Sequence, residues 1–143
     1  MTSKLHKWAL WYAEKRGWKV FPLRPNRPEP LTPNGYHAAS SDPAQINEWW
    51  TRWPDANIGL ALAPSGLMAM DIDPRHDGDI NAEKYFPNVT STLCANSAGK
   101  GEHRIFRVPA GTRVKTVLAR GIDSKYNGYI VLAPSVRRDV PGK

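Results

Sequence analysis

A single cysteine in 143 residues leaves no internal disulfide and no CxxC zinc site. Cys94 lies in the apolar-leaning run 89–95, where a buried structural thiol is expected. No window approaches the roughly 18 consecutive apolar residues of a membrane span, so a membrane is not expected among the partners. The opening Met-Thr-Ser-Lys-Leu-His carries no signal-type apolar region, and a soluble protein in a reducing, cytoplasmic compartment is expected. Internal repeats and low-complexity tracts are also missing. Acidic residues are the minority: 13 Asp plus Glu stand against 20 Lys plus Arg, a formal charge of +7. Such an excess suits a polyanionic partner, because neutralised phosphates release counterions. Charge alone does not identify one, since many basic domains bind no nucleic acid.

What remains is an ordinary globular composition, 41% hydrophobic and 23% charged, of a length that fits one domain over 1–143. Tryptophan is abundant, with six residues. Trp8, Trp11, Trp49 and Trp53 recur at helical spacing, so they are read as core and not as base-stacking surface.

Ser3 is a cap for a helix running to about Arg16, with Leu5, Trp8, Ala9 and Tyr12 at three- and four-residue steps and Gly17 as its stop. Residues 18–21 read as a short strand ended by Pro22. From Arg24 to Ser41, four prolines and Gly35 dictate a long loop, and long ordered loops in compact domains are usually functional. Asp42-Pro43 starts a second helix that carries Ile46, Trp49 and Trp50 and ends before Pro54. Two apolar runs, 58–63 and 67–72, flank Pro64-Ser65-Gly66 and predict adjacent antiparallel strands. A short helix is expected over 82–86 and further strands over 89–95, 102–108 and 128–133. The order implies an α+β fold with a mixed sheet and helices to one side. Residues 136–143 read as a tail or linker.

The sharpest local feature is Met68-Ala69-Met70-Asp71-Ile72-Asp73-Pro74. On a strand, Asp71 and Asp73 share a face about 6.6 Å apart, while Met70 and Ile72 take the other. Two carboxylates so placed repel unless a cation lies between them, and hard divalent ions such as Mg²⁺ and Mn²⁺ prefer oxygen ligands. A solvated strand end accounts for the pair equally well. Asp77 and Asp79 fit a plain polar turn. An EF-hand is excluded, because Arg75 and His76 stand where an oxygen ligand and Gly are needed.

A second feature, Ser97-Ala98-Gly99-Lys100-Gly101-Glu102-His103, is a small glycine-rich turn that lets amides approach phosphates while Lys100 adds charge. It is not a Walker loop, because Gly101 stands where Ser or Thr binds Mg²⁺. His103 opens a strand that puts Ile105 on its own face and Arg104 with Phe106 on the other. A lone histidine is usually structural, but one that follows a phosphate-friendly turn suits phosphate contact. Asp123, in Gly121-Ile122-Asp123-Ser124-Lys125, is either a third carboxylate or a turn-forming Asp before a hairpin-like turn.

In order along nearly the whole chain, these segments resemble the N-terminal domain of the bifunctional DNA primase/polymerases, in the archaeo-eukaryotic primase superfamily. The resemblance rests on Ala9, Trp11-Tyr12, Arg16-Gly17-Trp18 and Val20-Phe21-Pro22-Leu23, then Pro30-Leu31-Thr32-Pro33-Asn34-Gly35-Tyr36 and Asp42 through Trp49-Trp50. It continues through Asn57-Ile58-Gly59, Met70-Asp71-Ile72-Asp73, Gly101-Glu102-His103 and Gly128-Tyr129-Ile130-Val131 with Ala133-Pro134-Ser135. It implies an archaeo-eukaryotic primase-like catalytic core, in which a unit resembling an RNA-recognition motif joins an N-terminal α/β unit.

The same resemblance implies template-directed nucleotidyl transfer by two divalent ions, Mg²⁺ or Mn²⁺, held by Asp71, Asp73 and Asp123. His103 is the implied contact to the incoming nucleotide's phosphates, with Lys100, Gly101, Ser97 and Arg104 as further phosphate-binding positions and Arg107 as another cation near the template. Implied partners are a single-stranded DNA template, nucleoside triphosphates and a helicase domain or separate helicase, in replication of a phage, plasmid or other mobile element. The sequence departs from the family at Pro28, where a Lys is common and Arg27 is the nearest substitute, and at Gly99-Lys100-Gly101, where a Gly-Gly pair is common. Members usually continue past the Pro-Ser segment, whereas this chain stops at Lys143, so truncation of the catalytic domain is one expectation. Two competing readings are a non-catalytic nucleic-acid-binding module of this fold and a metal-dependent nuclease.

Overall fold

The computed structural model describes residues 3–72, 93–96, 102–108, 117–119 and 122–136. Asp73, Asp77, Asp79, Ser97, Lys100, Gly101, the expected helix over 82–86 and the tail over 137–143 lie outside the described residues.

Helix α1 spans Lys4–Arg16 and is capped as its sequence dictates. The Ser3 hydroxyl accepts the His6 amide at 3.1 Å and donates to the Pro54 carbonyl at 2.6 Å, so one side chain both starts the helix and ties it to the chain end of the next. Gly17, at φ 68°, sends its N–H back to the last turn. Strand β1 spans Val20–Leu23. Helix α2 spans Pro43–Arg52, with the Asp42 carboxylate accepting the Ala44 amide at 3.1 Å. The two helices pack on each other, joined by the His6 ring and the Asn47 amide oxygen at 2.7 Å, and both lie against β1. Among the described residues no helix is long and apolar enough to cross a membrane.

Pro22 does not end β1 but sits inside it, paired with Ile58. Val20 exchanges both backbone bonds with Ser40 on the outer side, so Pro22, two residues on, also turns its backbone outward. Its carbonyl there accepts from the Leu31 amide at 3.0 Å, and its missing N–H costs the ladder to the inner neighbour nothing. The long loop from 24 to 41 thus covers the open edge of β1, with a 3₁₀ turn at Gly35–Ala38.

The remaining strands are β2 (Asn57–Ala61), β3 (Leu67–Ile72), β4 (Leu93–Asn96), β5 (Glu102–Arg107), β6 (Val117–Ala119), β7 (Ile122–Lys125) and β8 (Tyr129–Leu132). They form not one mixed sheet but two sheets, ordered β1-β2-β8 and β4-β5-β3-β7-β6, with every described pairing antiparallel. The α+β class holds, while the expected hairpin of the runs 58–63 and 67–72 does not: β2 and β3 belong to different sheets. The 3₁₀ turn Ala63–Ser65 and Gly66 at φ 70° carry the chain from one sheet to the other. The segment 126–128 carries it back, so the turn after Asp123 is not a hairpin either. The two crossings bond to each other, Leu62 N–H to the Gly128 carbonyl at 3.0 Å and Ala63 N–H to the Tyr126 carbonyl at 2.9 Å. Strands β2 and β3 are therefore successive lengths of one path, and β7 and β8 are its antiparallel return.

One apolar core joins the helices and both sheets, from Ala9, Trp50 and Phe21 through Ile58 and Leu132 to Leu67, Ala69 and Ile105. Trp50 is 1% exposed and satisfies its indole N–H on the Ala56 carbonyl at 3.0 Å. Trp49 is buried and Trp53 packs against the core, as their spacing predicts, but Trp8 and Trp11 are 40% and 37% exposed. Helix α1 buries His6, Ala9, Tyr12 and Ala13 instead, and that face turns the two tryptophans outward. Tyr12 stacks on Trp18 and donates its hydroxyl to the Ala133 carbonyl at 2.8 Å. Burial raises its pKa above the ordinary value of about 10, opposed by the nearby Arg16 charge.

Candidate functional site

The register of the five-stranded sheet sets the geometry of the site. Strand β3 is its middle strand, and Asp71 on it is paired with His103 of β5 on one side and with Asp123 of β7 on the other. The same row ends at Ala95 on β4, paired with His103, and at Val117 on β6, paired with Asp123. Directly paired positions of an antiparallel ladder lie on one face of the sheet, with neighbouring strands about 4.8 Å apart. Thus three residues at least 20 positions apart in sequence become one row, Asp71 at its centre, flanked by two small or apolar positions.

 Counted from Asp71, His103 lies 32 positions along the chain and Asp123 lies 52, so only strand pairing brings the three together.

The face that carries this row is also the buried face of the sheet. Two residues back from Asp71 and two on from His103 are Ala69 and Ile105, paired with each other and fully buried, and Leu67 continues that line into the core. The row therefore stands where the core between the two sheets ends, about 7 Å along the strands from its last apolar layer. Such a position gives polar groups a rigid base of packed apolar residues. Asp71 and Asp123 thus share one row of the sheet on neighbouring strands.

Arg104 stands one register step from His103, paired with Met70 and Cys94, and so takes the opposite face of the sheet. Arg107 is exposed at the far end of β5, paired with Leu67. Arg27 forks onto the Glu29 carboxylate through two bonds of 2.7 and 3.0 Å, an exposed pair.

Two features of the site escape a reading of the sequence. Strands β6 and β7 are one: Asp123, Ser124 and Lys125 have low strand propensity, and pairing with β3 and β6 holds β7 extended. The other is Asn57, 1% exposed, whose amide nitrogen donates to the carbonyls of Arg27 at 3.0 Å and Val136 at 2.6 Å while its oxygen accepts the Val136 amide at 3.0 Å. Every bond its amide offers to this pair of segments is used, so it pins the long loop and the segment after β8 to β2. A buried Asn at the start of an apolar run was the available signal.

Compared with known families, residues 9–142 match the family model described as bifunctional DNA primase/polymerase, N-terminal. No curated protein matches the chain.

Proposed function

The chain belongs to the family of bifunctional DNA primase/polymerase N-terminal domains, whose members act on nucleic acid and nucleotides, and from that membership we propose template-directed nucleotidyl transfer at the row centred on Asp71. The observation that carries the reading is the pairing of Asp71 with both His103 and Asp123. With the edge strand β6 set aside, the order β4-β5-β3-β7 supports it further: second, third, first, fourth along the chain, all antiparallel, as in a ferredoxin-like or RNA-recognition-type sheet. That sheet is then the catalytic half of a primase-like core, and α1, α2 and the three-stranded sheet are its N-terminal α/β unit, the whole chain forming one catalytic domain.

Asp71 and Asp123 would hold a divalent cation, Mg²⁺ or Mn²⁺, with Asp73 as a third carboxylate two residues beyond Asp71. When bound, two such ions lower the cost of ionising an attacking 3′-hydroxyl and stabilise charge on the transferring phosphoryl group. His103 stands beside Asp71 and donates a hydrogen bond to a phosphate oxygen of the nucleotide, a charge-assisted contact when the ring is protonated. Lys100, Gly101 and Ser97 belong to the glycine-rich segment that precedes His103 in sequence and would supply charge and backbone amides to the same phosphates. Arg104, on the other face, serves a different part of the substrate or none. The buried apolar layer of Ala69 and Ile105 holds the row rigid, which is what alignment of two reacting groups requires. The template is single-stranded DNA, and a helicase acting on the same replicon, a phage, plasmid or other mobile element, is the expected companion.

Primer synthesis and extension on a single-stranded template with Mn²⁺ and nucleoside triphosphates test the reading. Both activities vanish in Asp71→Asn with the fold intact. Synthesis that survives this substitution overturns the assignment, and shortening of labelled DNA without nucleotides marks a nuclease instead.

A further inference from the structure

Among the described helices, α1 is the one that leaves large aromatic residues, Trp8 and Trp11, exposed. Its exposed residues include Lys4, Lys7, Trp8, Trp11, Lys15 and Arg16, with Glu14 the only carboxylate on the helix. Lys4, Trp8, Trp11 and Lys15 follow one another at steps of four, three and four, the spacing that lines residues along one side of a helix. The stripe runs about 16 Å from Lys4 to Lys15 at the usual rise per residue, the reach of roughly two or three nucleotides. The indoles of Trp8 and Trp11 lie 5.5 Å apart at 62°, and the Arg16 guanidinium lies 5.6 Å from the Trp11 ring and 5.7 Å from Trp18.

We propose that this face of α1 binds single-stranded nucleic acid, with bases stacked on Trp8 and Trp11 and phosphates lying along Lys4, Lys7 and Lys15. The surface belongs to α1 and not to the five-stranded sheet, and its binding needs neither metal nor nucleotidyl transfer. Partly exposed aromatic rings set among cations are the two elements that unstructured strands require, a π-face for each base and charge for the backbone. Charge decides against the other occupants. A second copy of the chain, docked face to face, would set these cations against themselves. A membrane would require an apolar helix face, and that of α1 is already spent on the core through Ala9, Tyr12 and Ala13.

Anisotropy of a fluorescein-labelled oligothymidylate, measured on the full chain in EDTA without nucleotides, tests the proposal. Trp8→Ala/Trp11→Ala weakens binding by about tenfold or more, and Trp8→Phe/Trp11→Phe retains most of it, because a phenyl ring still stacks. Lys4→Glu/Lys7→Glu/Lys15→Glu lowers the slope of log affinity against log salt by about 2. Circular dichroism checks that each variant is folded. Unchanged affinity in the folded double alanine variant overturns the proposal, as does equal loss in the phenylalanine variant. A change in that variant from dimer to monomer by sedimentation, with oligothymidylate affinity unchanged, also overturns it and marks a self-association face. Asp71→Asn keeps the affinity, so failure at the carboxylate row and failure at α1 are separate results.

Discussion

Asp71 and Asp123 stand at directly paired positions on β3 and β7, neighbouring strands of the five-stranded sheet. Like charges at directly opposite positions of a sheet are destabilising unless a cation lies between them. In EDTA, Asp123→Asn should therefore unfold at the same or a higher denaturant concentration than the unaltered protein. Added Mn²⁺ should raise the Tm of the unaltered protein and leave that of Asp123→Asn nearly unchanged. A Tm response to Mn²⁺ that is equal in both removes Asp123 from the metal site.

His103 is paired with Asp71 on the opposite side from Asp123 and offers the row its one potential cation. In its proposed role, replacing it by Ala would remove a hydrogen bond to a phosphate, an interaction of about 1.5–3 kcal/mol when charged. Steady-state primer extension should show KM for the nucleotide raised by about 10- to 100-fold, the range to which that energy corresponds. A change confined to thermal stability, with KM untouched, assigns His103 a structural role.

Gly59 lies in the middle of β2, between β1 and β8, and a Cβ there would meet Phe21 ring carbons at 2.7 Å and Leu23 Cδ2 at 3.2 Å. Phe21 is fully buried and cannot swing away without displacing its neighbours. Gly59→Ala should cost about 1–3 kcal/mol, the usual range for an overpacked core. Urea unfolding measures it, and a loss below about 0.5 kcal/mol, the level of an ordinary surface change, shows that the ring has room to shift.

Tyr12 has a pKa raised by burial, so its neutral form is favoured in the folded state. Its contribution to stability is complete below about pH 10, the unfolded value, and is lost as pH rises through the higher folded value. Stability should fall above pH 10 less steeply in Tyr12→Phe than in the unaltered protein. At neutral pH the same variant should lose about 1 kcal/mol with the hydrogen bond to the Ala133 carbonyl. Denaturant midpoints across a pH series give both numbers, and parallel alkaline losses in the two proteins exclude Tyr12 as the titrating group.

Much of the fold was legible because its signals are local. Ser3, Gly17, Asp42 and Pro43 mark helix ends through bonds and dihedral angles that involve only their immediate neighbours, and each stands where its chemistry predicts. Asp71 was legible as a candidate because an acidic residue at the end of an apolar strand is conspicuous whatever the strand pairs with. Asp123 was not, because nothing near it distinguishes a strand from a turn. Trp8 and Trp11 misled for a related reason. Spacing shows that residues share a side of a helix, but not which side the rest of the molecule covers.

The sequence by itself thus determined where helices start and stop, where the chain must loop and which family it belongs to by the order of its motifs. Tertiary structure alone decided that β2 and β3 part into separate sheets, that Pro22 faces an outer edge, and that the third strand of the site pairs with the first. The physical reason is range: caps and turns are closed by bonds a few residues long, whereas the row His103–Asp71–Asp123 exists only once 52 residues have folded back to set one register.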